Sequence, residues 1–174
     1  MAEPVIPQKA KLFIGIIFNS EEIMLKARKK LERKFGKVDL ETMYIPFTHT
    51  PYYKEIGPNL YKVFFSFEKL IPRDKLADIK LYTNSIEKNF SVKKNRTINI
   101  DPGYLTLSNV FLASCKEFFH RAYIGKGIYI ENEYQYVNKQ YIFWDWTYPD
   151  YKKTEYQSFF RDLRRIYHGQ IKGR

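Results

Sequence analysis

Asn99–Arg121 gathers residue types that could do chemistry. Asp101, Tyr104, Lys116, His120 and Arg121 stand around a short apolar segment. A carboxylate and an imidazole can exchange protons near neutral pH, which makes Asp101 and His120 the candidate acid–base pair. The planar guanidinium of Arg121 suits a carboxylate or a phosphate, and Lys116 adds a second cation. Lys116 and His120 are four residues apart, so they share a face in a helix and in a strand. A helix would bring them within reach of one another; a strand would set them about 13 Å apart.

Asn99 and Asp101 share one side of a short strand, with Ile98 and Ile100 on the other. A polar side on an internal strand points to a lined cleft. The alternative is ordinary turn chemistry, with Asp101 capping a Pro-Gly turn and Asn99 facing solvent. Lys80 would add positive charge to such a cleft; Tyr104 and Thr106 would donate hydrogen bonds. For His120 the competing reading is a partly buried ring satisfied by a neighbour. For Lys116 and Arg121 it is surface charge, or an ion pair with Glu117.

Trp144-Asp145-Trp146-Thr147-Tyr148-Pro149-Asp150-Tyr151 is a second constellation. Trp146, Tyr148 and Asp150 could wall a ligand site and stack a planar group. The same loop could be an apolar plug that seats the last helix, with Asp150 near its N-terminus. Tyr52, Tyr53 and Glu55 invite the same pair of readings.

Sharper motifs are missing. There is no phosphate-binding Gly-x-x-x-x-Gly-Lys-Ser/Thr, no Gly-x-Gly-x-x-Gly after the first strand and no Gly-x-Ser-x-Gly elbow. Gly125-Lys126-Gly127 reads as a hairpin turn. Three dispersed histidines and one cysteine supply no metal-ligand spacing, so no metal and no cofactor are expected. Cys115 lies in an apolar run and reads as inert core.

The 174 residues fit one domain. With 44% hydrophobic and 18% aromatic residues, a packed core needs no staples. A single cysteine cannot form an internal disulfide, so the expected compartment is the cytoplasm. Met1–Lys9 carries Pro4 and Pro7 and lacks the apolar run of a secretory leader. No window approaches the ~20 apolar residues that span a bilayer, so no membrane partner is expected. The net charge of +11 favours anionic partners: a small ligand first, nucleic acid second. That charge is dispersed, and its densest runs fall on predicted helices, where they also read as solvated faces.

The elements that must position these residues follow from periodicity. Residues 1–9 form an extended tail. Lys11–Phe18 reads as a buried strand; Asn19 then caps a helix striped by Ile23, Ala27, Leu31 and Phe35 and closed by Gly36. Val38–Phe47 alternates imperfectly, with a bulge expected near Glu41. Thr48–Pro58 is a long loop, and Leu60–Phe67 an aromatic strand. Pro72 precedes the clearest helix, with Leu76, Ile79, Thr83, Ile86 and Phe90 on one side. A short strand follows at Thr97–Ile100. The order over residues 10–100 is β-α-β-β-α-β, the ferredoxin-like pattern of an α+β protein with a mostly antiparallel sheet. Asp101-Pro102-Gly103 should break that last strand. In residues 101–152 a turn leads to Leu105–Ser114, which fits helix or strand. A meander follows: Phe118–Ile124, Ile128–Val137 and, across Asn138-Lys139, Gln140–Trp144. The terminal helix is expected over 153–168.

Several of these stretches together resemble a known family. They are Lys11-Leu12-Phe13-Ile14-Gly15-Ile16, Phe64-Phe65-Ser66-Phe67-Glu68, Ile79-Lys80-Leu81-Tyr82-Thr83-Asn84, Asn99-Ile100-Asp101-Pro102-Gly103-Tyr104-Leu105-Thr106, His120-Arg121-Ala122-Tyr123-Ile124 and Trp146-Thr147-Tyr148-Pro149-Asp150-Tyr151. Between about Lys11 and about Tyr167 the chain resembles the uncharacterised prokaryotic proteins grouped as domain-of-unknown-function family 4416. That resemblance implies a single-domain cytosolic protein and no particular activity. The residues themselves favour a cleft for a small anionic ligand, nucleotide-like or phosphorylated, with acid–base capacity. The alternatives are a nucleic-acid-binding module and a scaffold without a ligand.

Overall fold

Strand β1 (Ala10–Phe18) is buried along all nine residues and lies in the interior of the sheet in the computed structural model, which describes residues 1–48 and 50–173. It pairs antiparallel with β4 (Tyr61–Ile71) on one side and β5 (Ile98–Leu105) on the other. With β2 (Val38–Glu41), β6 (Asn109–Ser114), β7 (Ala122–Gly125) and β8 (Ile128–Val137) the strand order is β2-β4-β1-β5-β6-β8-β7. Two further strands complete the nine among the described residues: β3 (Ile45–Pro46) pairs with β4, and β9 (Gln140–Phe143) pairs with β8. Every pairing among the described residues is antiparallel.

Alternation along β1 explains the layers. Leu12, Ile14, Ile16 and Phe18 enter a core shared with α1 (Glu21–Phe35) and α2 (Leu76–Phe90). Phe13 enters the opposite core, beneath Phe159, Phe160 and Leu163 of α3 (Thr154–Lys172). A strand clothed on both faces must be apolar throughout, which is why Lys11–Phe18 reads so clearly in the sequence. The cap of α1 is Ser20, one residue later than Asn19; its hydroxyl accepts from Ile23 N at 3.4 Å. Gly36, at φ 97°, ends that helix.

Asp101-Pro102-Gly103 does not break β5; the strand runs through it to Leu105. What breaks is the pairing. β6 meets β5 only at Gly103, Tyr104 and Leu105. Before that, the β6-side edge of β5 is open, because β6 pairs onward with β8 through Ser114. Side chains of α2 take the place of the missing strand: Ile100 N donates to Glu87 Oε1, and Ile100 O accepts from Lys80 Nζ at 3.1 Å. Pro102 turns the same edge as Ile100, where no ladder donor is needed. Gly103 is where β6 closes in: a Cβ there would lie 2.2 Å from Phe111 O and 2.4 Å from the Phe13 ring.

The remaining differences from expectation are local. Leu105–Ser114 resolves into the end of β5, a turn and β6. Val38–Phe47 splits into β2 and β3, and Thr48–Pro58 contains a 3-10 turn over Pro51–Ile56, opened by the Thr50 hydroxyl accepting from Tyr52 N at 3.1 Å. The β7–β8 hairpin turns on Lys126 (φ 57°) and Gly127 (φ 74°), and the β8–β9 hairpin on Asn138 (φ 49°) and Lys139 (φ 64°). Two positive φ angles in succession are what a type I′ two-residue hairpin turn requires. The first of these hairpins begins only at Ala122, so Cys115–Arg121 is a loop and the shared-face argument for Lys116 and His120 fails. No described helix is long and apolar enough to cross a membrane.

Candidate functional site

The parting of β5 from β6 opens a cleft of about 630 Å³. β5 supplies Asn99 and Asp101, β4 supplies Lys62, and α2 reaches round the open edge with Lys80, Asn84 and Glu87. The far wall is the end of β6 through Lys116, together with Glu131 of β8. Tyr52 and Tyr53 stand on one flank and Tyr148–Tyr151 on the other.

Charges in the cleft are paired almost throughout. Lys80 Nζ lies 2.8 Å from Asp101 Oδ1, with side chains 6% and 23% exposed. Burial opposes charge on both, yet their mutual attraction, with Glu87 helping the lysine, holds Lys80 above and Asp101 below the ordinary value. Lys62 Nζ lies 2.8 Å from Asp150 Oδ2, both buried. Arg96 Nη2 meets Glu55 Oε1 at 2.5 Å, and its Nη1 donates to Asn99 Oδ1 at 3.0 Å. Asn99 in turn donates to Asp101 Oδ2. Lys116 differs: among the described residues its amine faces no carboxylate and lies 3.8 Å over the Tyr52 ring. The Lys116 contact holds the Tyr52 phenol below its ordinary value.

Two carboxyls sit where protons could move. Burial pushes Glu87 up to about 7, partly offset by the Lys80 charge. Behind the wall, burial and the neighbouring Glu131 push Glu133 up to about 8. Glu133 is the extra residue of a bulge in β8, opposite the step from Val110 to Phe111. Loop 144–148 satisfies that bulge: Trp146 Nε1 donates to Asn132 O at 3.0 Å, and Thr147 Oγ1 to Glu133 O at 2.9 Å.

Glu131 is held from behind. Its Oε2 lies 2.7 Å from His120 Nε2 and accepts from Arg121 Nε at 3.1 Å. Arg121 also donates to Lys116 O at 2.9 Å and to Tyr148 Oη at 2.8 Å, tying loop, strand and cleft flank together. Among the described residues, Glu131 Oε1 is buried without a hydrogen-bond partner, and so is the Tyr151 hydroxyl.

Of the residues nominated from sequence, Asp101, Lys80, Asn99, Lys116, Tyr148 and Asp150 line one cleft. His120 and Arg121 stand one layer back, spent on Glu131. Trp146 is stacked between Trp144 (ring centroids 5.3 Å apart) and His120 (5.1 Å) and does not line the cleft. Tyr104 packs with Leu76, Ala77 and Ala113 in a separate core, and Thr106 ties the β5–β6 turn by accepting from Asn109 N at 3.0 Å. Cys115 is exposed at the cleft wall, with Asn84 Nδ2 3.1 Å from its sulfur, and is not inert core.

Sequence reasoning passed over Lys62, Glu87, Arg96, Glu131 and Glu133. The readable signal was a charge inside an otherwise apolar strand: Lys62 between Tyr61 and Val63, and two glutamates within the aromatic run Tyr129–Tyr136. Glu87 and Arg96 carried no such signal, since charged residues at a helix end and in a connector are ordinary.

No curated protein and no solved structure matches the chain. A family model matches residues 8–167, and the chain belongs to the family described as a domain of unknown function, DUF4416.

Proposed function

We propose that the cleft binds a small ligand carrying one anionic group, nucleotide-like or phosphorylated, and that Lys116 receives that group. The observation that carries this reading is the charge pattern among the described residues: Lys62, Lys80 and Arg96 are each neutralised by a carboxylate, and Lys116 is not. Tyr52 and Tyr148, both at the mouth, would flank the bound molecule. The acid–base capacity expected of Asp101 and His120 is better supplied by Glu87. Asp101 is kept ionised by Lys80 and His120 is engaged with Glu131, whereas Glu87 titrates near neutrality in the cleft. Within the larger sheet we read β1-α1-β2-β4-α2-β5, ordered β2-β4-β1-β5, as a ferredoxin-like core. A free, exposed Cys115 is in keeping with the cytoplasm.

The test is a thermal-shift screen with orthophosphate, sugar phosphates, nucleotides and small carboxylates. Wild type should be stabilised by members of the panel and Lys116→Ala should lose the effect. An equal shift in both proteins, or none in wild type, contradicts the reading. A salt-sensitive response to RNA that survives Lys116→Ala would favour the nucleic-acid alternative instead.

A further inference from the structure

Glu131 and Tyr151 both line the cleft, are 1% exposed, and each keeps a buried oxygen that no group among the described residues satisfies. A buried polar atom without a partner is costly, so such atoms are rare and call for an explanation. Glu131 is also fixed in place: its other oxygen is gripped by His120 and Arg121. That grip leaves Oε1 as a fixed acceptor. Tyr151 adds a hydroxyl on a ring packed among Phe64, Tyr134 and Phe160, so it too is held rigidly.

Which donor would they take? Glu131 already has a cationic partner in Arg121, Asp101 has Lys80, and Asp150 has Lys62. An ammonium at Glu131 would crowd a second positive charge against Arg121, which already neutralises that carboxylate. A neutral hydroxyl satisfies both Glu131 Oε1 and the Tyr151 hydroxyl without one. Resting on the reading that Lys116 receives an anion, we infer that the ligand is a hydroxylated anion, a phosphorylated sugar or polyol, and that Glu131 and Tyr151 select its hydroxyls.

The experiment measures binding of four probes to wild type, Tyr151→Phe, Glu131→Gln and Lys116→Ala: orthophosphate, a pentose phosphate, its monodeoxy analogues and phosphoethanolamine. Tyr151→Phe removes an oxygen that makes no hydrogen bond in the protein, so its fold is preserved even where Glu131→Gln perturbs the core. The pentose phosphate should bind wild type about tenfold or more tightly than at least one deoxy analogue. That advantage should vanish in Tyr151→Phe or Glu131→Gln, while Lys116→Ala weakens every phosphate alike. Equal binding of orthophosphate and pentose phosphate, unchanged in Tyr151→Phe, overturns the inference and leaves the anion site standing. Preference for phosphoethanolamine overturns it as well. No binding of any probe to wild type overturns both.

Discussion

His120 Nε2 lies 2.7 Å from Glu131 Oε2, with both side chains at or below 5% exposure. The histidine that stands out in the sequence therefore serves a glutamate that does not, and the glutamate is the one that reaches the cleft. The cleft-lining residue is displaced by one layer from where residue type alone puts it, because a buried carboxylate needs partners behind it.

The Lys62–Asp150 pair should behave as a buried ion pair. Asp150→Ala strands a buried lysine and should cost about 3–5 kcal/mol in urea unfolding. The double variant Lys62→Met/Asp150→Leu should recover most of that loss. Equal destabilisation by the single and double variants would mean that packing, not charge, dominates here.

Stability should fall as pH rises. Glu87 is raised to about 7 and Glu133 to about 8 from an ordinary 4.5. Between those limits the folded chain keeps protons that the unfolded chain releases. Their contribution is complete below the ordinary value and is lost as pH climbs through the folded ones. Glu133→Gln should flatten the dependence of the urea midpoint on pH over this window and gain ground at its alkaline end. A wild-type midpoint that rises across the same window would contradict the assignment.

Two glycines should separate crowding from backbone strain. Gly103→Ala pushes a Cβ into Phe111 O and the Phe13 ring and should cost about 3 kcal/mol or more. Gly125, at φ 98° with nothing near its would-be Cβ, should cost about 1–2 kcal/mol when made alanine. Similar losses at the two sites would argue against a tight β5–β6 junction.

Cys115 should react with iodoacetamide in the native protein without denaturant, since it is exposed at the cleft. An anion that fills the cleft should slow the reaction. Labelling that appears only on unfolding would place the thiol elsewhere.

Much of the framework was legible in the sequence. β1 and α2 announce themselves because one is buried on both faces and the other has a strict apolar stripe. Both hairpin turns are visible as Lys-Gly and Asn-Lys between apolar runs. Asp101-Pro102-Gly103 misleads because local rules assume a strand paired on both edges. Here the partner strand has already left, so proline breaks nothing and glycine is demanded by a neighbour distant in sequence. The cleft was half legible. Asp101, Asn99 and Lys116 could be named from chain position. Lys62 and Glu131 show only as charges inside apolar strands, and Glu87 not at all; their convergence on one cleft depends on which strands separate, and no local pattern encodes that.

The most direct test of the proposal that the cleft binds a ligand is an amide correlation spectrum recorded while a pentose phosphate is titrated into the protein. Resonances of Asn99, Asp101, Lys116 and Tyr151 should move together and saturate, with those of buried Lys11 and its partner Asp39, a pair outside the cleft, unmoved. Changes centred away from the cleft, or a spectrum that does not move at all, would contradict the account.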